Sequence, residues 1–328
     1  VTDASSILAT DLAGLALRNP VILAAGTCGY LDEMSDAMDL SRVGGLVTKS
    51  ITALPRDGNA TWRIIEARGG MMNAIGLANV GVEAFVREYG TRVAGVPTAV
   101  IGSIAGYSVD DYVAVAAAMN AIDGMQAVEL NVSCPNVKHG CEFGTDEKLL
   151  RELVGAVRAV LTRVRLFVKL SPLAVGQPGI VTIARAAIEG DGRASSGPNA
   201  RPGADGICLA NTMPAMAIDV RTRRPRLANV TGGLSGPAIH HIAVKLVHDA
   251  YRGIARSTST PIIGIGGVMN WEDAAELILA GASAVEMGTA LFVDPRSPGR
   301  VVAGLEKWVR AQGESTIRGL IGAVELGG

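Results

Sequence analysis

Apolar strand-like runs and amphipathic helical runs alternate along this chain eight times, and that alternation constrains the fold most. The strand candidates are 20–25, 45–49, 98–103, 126–132, 165–170, 205–210, 261–265 and 283–288. Helical runs lie near 33–39, 81–94, 109–122, 146–163, 179–189, 236–255, 271–280 and 298–312. Leu149, Leu150, Leu153, Val154, Val157 and Leu161 form one stripe at helical spacing, and Ile239, Ile242, Leu246 and Val247 form another. Eight strand–helix units in one chain predict a (β/α)8 barrel ahead of a doubly wound sheet. Residues 1–19 read as a short hairpin, Ile7-Leu8 against Leu15–Leu17, that plugs one end. The chain has 328 residues, enough for one large barrel, and it is expected to form a single domain over 1–328.

Composition agrees and narrows the function classes. Hydrophobic residues make up 48% and aromatics only 4%, with 41 glycines, which favours aliphatic α/β packing with many tight turns. The net charge is −1 and no long basic run occurs, which disfavours a nucleic-acid surface. No apolar run is long enough to span a membrane, and neither a signal peptide nor a span is expected, so a cytoplasmic location is. Cys28, Cys134, Cys141 and Cys208 are scattered without metal-ligand spacing. The four histidines show none either, and His240 and His241 read as helix-surface residues or satisfied contacts.

A barrel places its chemistry where strands end. The polar residues of this chain collect there: Lys49, Ser103, Asn131, Lys169, Asn211 with Thr212, Gly266-Gly267 and Gly288-Thr289. The loops 50–80, 133–145 and 211–235 are long. A lysine at such a position is a poor structural choice unless an anion or electron-rich ring neutralises it. In Asn131-Val-Ser-Cys-Pro-Asn136, amides flank one cysteine at a strand end. A thiol there works as base or nucleophile once its pKa falls, and the amides suit a flat imide or amide ligand. The bland alternative is a half-buried cysteine in a proline turn.

Gly264-Ile-Gly-Gly-Val268 and Glu286-Met-Gly-Thr289 end the last two strands, and Gly236 opens another helix. Glycine-freed N–H groups before a helix cradle phosphate, and in barrels this cup recurs after strands seven and eight. Asn73-Ala-Ile-Gly-Leu-Ala-Asn79 offers a flexible polar clamp. Arg221-Thr-Arg-Arg-Pro-Arg226 reads as a solvated hairpin tip, and 190–203 as a loop facing away from the site.

Together these residues resemble class 1 dihydroorotate dehydrogenase from Asn19-Pro20 to Gly288-Thr289. The most specific pieces are Thr48-Lys49-Ser50, Asn73-Ala-Ile-Gly-Leu77, Asn131-Val-Ser-Cys-Pro-Asn-Val-Lys138, Asn211-Thr212 and the two glycine cups. The resemblance implies oxidation of dihydroorotate to orotate in pyrimidine biosynthesis, with FMN as cofactor. Cofactor contacts would be Ala25, Lys49, Ser50, Ser103, Asn131, Lys169, Ala210, Gly236, Gly266, Gly267, Gly288 and Thr289. Substrate would meet Lys49, Asn73, Ala74, Ile75, Gly76, Leu77, Asn131, Asn136, Asn211 and Thr212. Cys134 matches the base that takes the C5 proton while C6 passes hydride to flavin N5. Lys138 resembles the NAD-linked subclass, 1B, whose second subunit carries FAD and a [2Fe–2S] cluster. That implies a homodimer or heterotetramer. Ala25 and Ser103 depart from the serine and asparagine of many relatives, and Cys141-Glu142 replace a glycine-rich stretch. A fumarate-linked (1A-type) dihydroorotate dehydrogenase or another dihydropyrimidine oxidoreductase is the near alternative. A flavin-free aldolase or isomerase using a Lys49 or Lys169 Schiff base, or a non-catalytic scaffold, stands further off.

Overall fold

Eight short, buried runs pair side by side, each parallel to the next, and close on themselves. In a computed structural model, which describes residues 6–133, 143–173, 176–193 and 201–327, these are β1 (Val21–Leu23), β2 (Gly45–Val47), β3 (Ala99–Ile104), β4 (Met125–Asn131), β5 (Arg165–Lys169), β6 (Gly206–Leu209), β7 (Ile262–Ile265) and β8 (Ala284–Met287). Consecutive strands are neighbours all the way round, and β8 returns to β1. All eight expected strands are present, as the core of a (β/α)8 barrel.

The helices α1 (Val82–Tyr89), α2 (Val109–Ala121), α3 (Glu147–Val160), α4 (Ile180–Glu189), α5 (His240–Ala250), α6 (Trp271–Ala280), α7 (Thr289–Val293) and α8 (Ser297–Ala311) alternate with the strands from β2 onward. Local chemistry sets several starts. Ser108 and Asp111 form a reciprocal capping box at α2, Asn270 and Asp273 form one at α6, and Asp146 accepts from Leu149 N at α3. The expected stripe of α3 is the face that packs inward, with Leu150, Leu153, Val154 and Val157 fully buried. Each such side chain contributes roughly 1.5–3 kcal/mol.

Three expectations need correction. The region 33–39 is not an α-helix. It holds one short 3-10 turn, Glu33–Asp36, and a second, Leu40–Arg42, starts just beyond it, where the Asp39 side chain accepts from Ser41 N and restarts the chain. The run 81–94 is α-helical only to Tyr89 and tightens to 3-10 from Gly90. The N-terminal hairpin pairs Thr10–Leu12 with Leu15–Leu17, not Ile7-Leu8. Its two-residue turn, Ala13-Gly14, has positive φ at both residues, the primed geometry that matches strand twist. Ile7 instead accepts a backbone hydrogen bond from Ile317. The hairpin does plug the barrel. Leu12, Leu15 and Leu17 cluster with Ile22, Val47, Ile101, Ala127, Phe167, Ile263 and Ala284 inside it.

The long loops after β2 and β6 join above the opposite end. Ile64–Ala67, Gly70–Asn73, Thr231–Ser235 and Met213–Met216 make a four-stranded antiparallel sheet in which Asn73 faces Gly233. A Cβ on Gly233 would lie 1.9 Å from Thr212 Oγ1, so only glycine admits this approach. The basic run forms an exposed hairpin, Ile218–Asp219 against Arg224–Pro225. The segment 190–203 connects α4 to β6, at the plugged end, and 194–200 lie outside the described residues. No helix among the described residues is long and apolar enough to cross a membrane.

Candidate active site at the barrel mouth

Strand periodicity builds the floor of the site. Ile101, Ala127, Phe167 and Ala284 point into the lower, apolar interior. Two residues further along the same strands, on the same face, come Ser103, Glu129, Lys169 and Glu286. The barrel interior thus changes from apolar to charged in one layer. Lys169 Nζ lies 3.1 Å from Glu286 Oε2 and 3.5 Å from Glu129 Oε1, and all three are almost fully buried. Ser103 Oγ reaches Glu129 Oε1 at 3.3 Å and Ser50 Oγ at 2.9 Å. Burial draws Lys169 down, but Glu129 and Glu286 outweigh it and hold the ammonium above the ordinary lysine range. Burial, then Glu129, pushes Glu286 up to about 8, with Lys169 pulling the other way.

Above this floor is a cavity walled by the strand ends and roofed by the four-stranded sheet. On one side stand the glycine turns, Gly236, Gly266-Gly267 and Gly288-Thr289. Gly267 has φ +69°, and a Cβ there would lie 2.8 Å from both Gly236 O and His240 Cβ. His240 donates from Nδ1 to Gly266 O at 2.8 Å, and Thr289 Oγ1 bonds Ser235 Oγ at 2.9 Å. The turns are therefore packed from behind and leave their open side to the cavity.

On the other side stand Lys49, Ser50, Asn73, Ile75, Leu77, Asn211 and Thr212, with Ala25 and Ala210 between. Burial, and then the nearby Arg63 guanidinium, draw Lys49 below the ordinary lysine range. Among the described residues no carboxylate pairs with it. It is an uncompensated cation facing the cavity, suited to an anionic ligand. Lys169, by contrast, is locked as an ammonium between two carboxylates, which disfavours it as an amine nucleophile for Schiff-base chemistry.

Asn131 stands behind Asn211 and orients it. Ala74 and Gly76 flank the lining residues Ile75 and Leu77. Asn59 Nδ2 donates to Ala74 O and Arg56 Nε to Gly76 O. Ser103 does not line the cavity: it is fully buried beneath Ser50, so it reaches a ligand only through that hydroxyl. Cys134 and Asn136, with Lys138 and Cys141, lie outside the described residues.

The sequence alone does not single out Glu129 and Glu286, which complete the floor, or the positioning roles of Ser235 and His240. Glu129 and Glu286 carried one usable signal. Each is a charge two residues from an inward-facing alanine, with a buried apolar residue on either side of it. Of the two adjacent histidines, His241 is exposed on the helix surface and His240 is a satisfied contact buried under the glycine turn, the two outcomes expected of them.

A family model described as dihydroorotate dehydrogenase matches residues 7–309. The chain is 45% identical over 319 residues to a Trichlorobacter lovleyi protein named dihydroorotate dehydrogenase B (NAD(+)), catalytic subunit, covering 97% of this chain and 98% of that one. A Geobacter sulfurreducens protein of the same name is 43% identical over 320 residues, with the same coverage. A Solibacter usitatus protein, provisionally named dihydroorotate dehydrogenase A (fumarate), is 44% identical over 320 residues, covering 97% of this chain and 99% of that one. The chain therefore belongs to the dihydroorotate dehydrogenase family, flavin-dependent oxidoreductases that act in pyrimidine biosynthesis.

Proposed function

We propose that this chain, as one domain over 1–328, binds FMN in the barrel mouth and oxidises dihydroorotate to orotate. The observation that carries the reading is the pairing of two features across one cavity. The glycine turns fit a phosphate, since their N–H groups precede helices and their open side faces the cavity, while a Cβ on Gly267 would collide with Gly236 O and His240 behind the turn. The buried Lys169 ammonium opposite fits the electron-rich pyrimidine edge of a flavin. FMN, when bound, supplies the hydride acceptor.

The chain's own residues supply the rest. Gly236, Gly266, Gly267, Gly288 and Thr289 hold the phosphate, and Ala25, Ser50 and Ala210 border the ring. Lys49 pairs with the substrate carboxylate. Asn73, Asn131, Asn136, Asn211 and Thr212 read the flat ring by donor and acceptor pattern, with the 74–77 backbone closing over it. Cys134 takes the proton from C5 of dihydroorotate, which fits a general base whose pKa approaches working pH.

For the electron acceptor we favour NAD, reached through a partner subunit carrying FAD and a [2Fe–2S] cluster, in a cytoplasmic heterotetramer. The relatives named as catalytic subunits support this, as does Lys138 in the motif. The fumarate-linked reading rests on the Solibacter relative, whose identity is as high. Copurification from the native cell followed by an iron assay separates them. An iron-bearing, FAD-bearing companion supports the NAD reading, and a chain isolated alone that reduces fumarate overturns it.

A further inference from the structure

The floor of the cavity holds more negative charge than its lysine can balance. Glu129 and Glu286 are both fully buried and both face one ammonium. Glu129 Oε2 and Glu286 Oε1 find no hydrogen-bond partner among the described residues. Two buried carboxylates beside a single cation do not both stay ionised cheaply, because the second charge is neither solvated nor paired. The other groups facing them cannot take up the difference. Cys208, on β6, comes within reach of both carboxylates, but burial pushes its thiol well up and keeps it neutral. Cys28, behind β1, is likewise buried and pushed up to about 12. Ser103, on β3, offers one hydroxyl, to Glu129. The strands adjoining Glu286 on either side present only Ile22 and Ile265 in register.

We infer that the Glu129–Glu286 pair holds one exchangeable proton, carried by Glu286 because Glu129 stands beside it, and that this proton sets the charge Lys169 presents to whatever lies on the cavity floor. With the proton in place the three groups sum to zero, and the ammonium keeps a positive face toward the cavity, which Lys169 and Glu286 both line. When the proton leaves to solvent the cluster becomes an anion, and a ligand gaining negative charge above it is disfavoured. Glu286 is thus a positioning residue for charge. The direction of its own shift agrees, because burial and Glu129 both raise it. The inference deepens the FMN reading and rests on it for its second half only.

Infrared difference spectra of the purified full-length chain test the first half. Wild type should show a carboxylic-acid C=O band that fades as pH passes about 8. Both Glu129→Gln and Glu286→Gln should lose it, since either carboxylate alone is matched by Lys169. No such band in wild type, or its survival in both variants, overturns the proton held by the pair. Spectroelectrochemistry of the flavin-loaded chain tests the second half. The midpoint potential should fall more steeply with pH above that midpoint in wild type than in Glu286→Gln. Parallel slopes overturn the link to the cavity. A chain that holds no flavin overturns the FMN reading instead, and the infrared result still decides the pair's proton.

Discussion

Asn211, just beyond β6, donates its side-chain amide to Asn131 Oδ1 at the end of β4, 3.1 Å away, and to Ser133 Oγ at 3.0 Å. Asn211 Oδ1 in turn accepts from Thr212 N at 2.8 Å. Ser133 is held by Ser171 Oγ at 2.9 Å, and Tyr112 OH bonds Asn131 O at 2.6 Å. Two amides 80 residues apart in sequence thus fix one another's orientation before any ligand arrives. A ring that meets them pays little ordering entropy.

Asn211→Ala removes that brace at both ends. The KM for dihydroorotate should rise about 10- to 100-fold, the worth of one or two ring-reading hydrogen bonds, while flavin occupancy stays as in wild type. Steady-state kinetics beside the visible spectrum check it, and an unchanged KM removes Asn211 from the substrate contacts.

Lys169→Met leaves two buried carboxylates without their cation. The chain should lose about 3–5 kcal/mol of stability in urea unfolding, the usual result of stripping one partner from a buried ion cluster. Adding Glu286→Gln to that variant should restore part of the loss. A double variant no more stable than the single one contradicts the charge-balance account.

Glu286 gives the pH dependence a definite sign. Its carboxyl is raised from 4.5 to about 8 by burial and by Glu129. A raised acid stabilises the fold below its unfolded pKa, and that contribution is lost as pH rises through the folded value. The melting temperature of wild type relative to Glu286→Gln should therefore fall between pH 4.5 and about 8. Thermal melts across that window check it, and a difference that rises with pH contradicts it.

Gly267→Ala places a methyl where Gly236 O and His240 already stand, at a φ of +69°. FMN affinity should fall by about tenfold or more, a loss of at least 1.4 kcal/mol at the helix N-terminal anion site. Affinity for riboflavin, which lacks the phosphate, should change far less. Fluorescence titration with both ligands separates the two, and equal losses would place the phosphate elsewhere.

Cys134→Ser should keep flavin bound but slow its reduction by dihydroorotate about 10²- to 10⁴-fold at neutral pH, the range of a lost general base. Stopped-flow absorbance reads this directly, and an undiminished rate returns the cysteine to the bland reading of a thiol in a proline turn.

Much of this site is legible from residue order because barrel geometry turns strand ends into neighbours. Lys49, Lys169, Asn211 and the glycines after β7 and β8 stand in polar or flexible positions directly after apolar runs, and the closed barrel gathers them. The layer below is harder to read. Glu129 and Glu286 sit inside the runs, and their pairing with Lys169 depends on how far round the barrel each strand lies. The roofing sheet is harder still. Gly70–Asn73 and Thr231–Ser235 are about 160 residues apart and glycine-rich, with little alternation to mark them as strands. The hairpin register is hidden in the sequence because Ile7 and Leu8 look as apolar as Leu12, and only the Ala13-Gly14 turn picks the true arm.

The most direct test mixes the purified, flavin-loaded chain with dihydroorotate in the absence of oxygen while the visible absorbance is followed. The yellow protein should bleach as orotate forms, one flavin per chain. A colourless chain that takes up no FMN, or a yellow one that dihydroorotate leaves unbleached, would contradict an FMN-dependent oxidation of dihydroorotate at this barrel mouth.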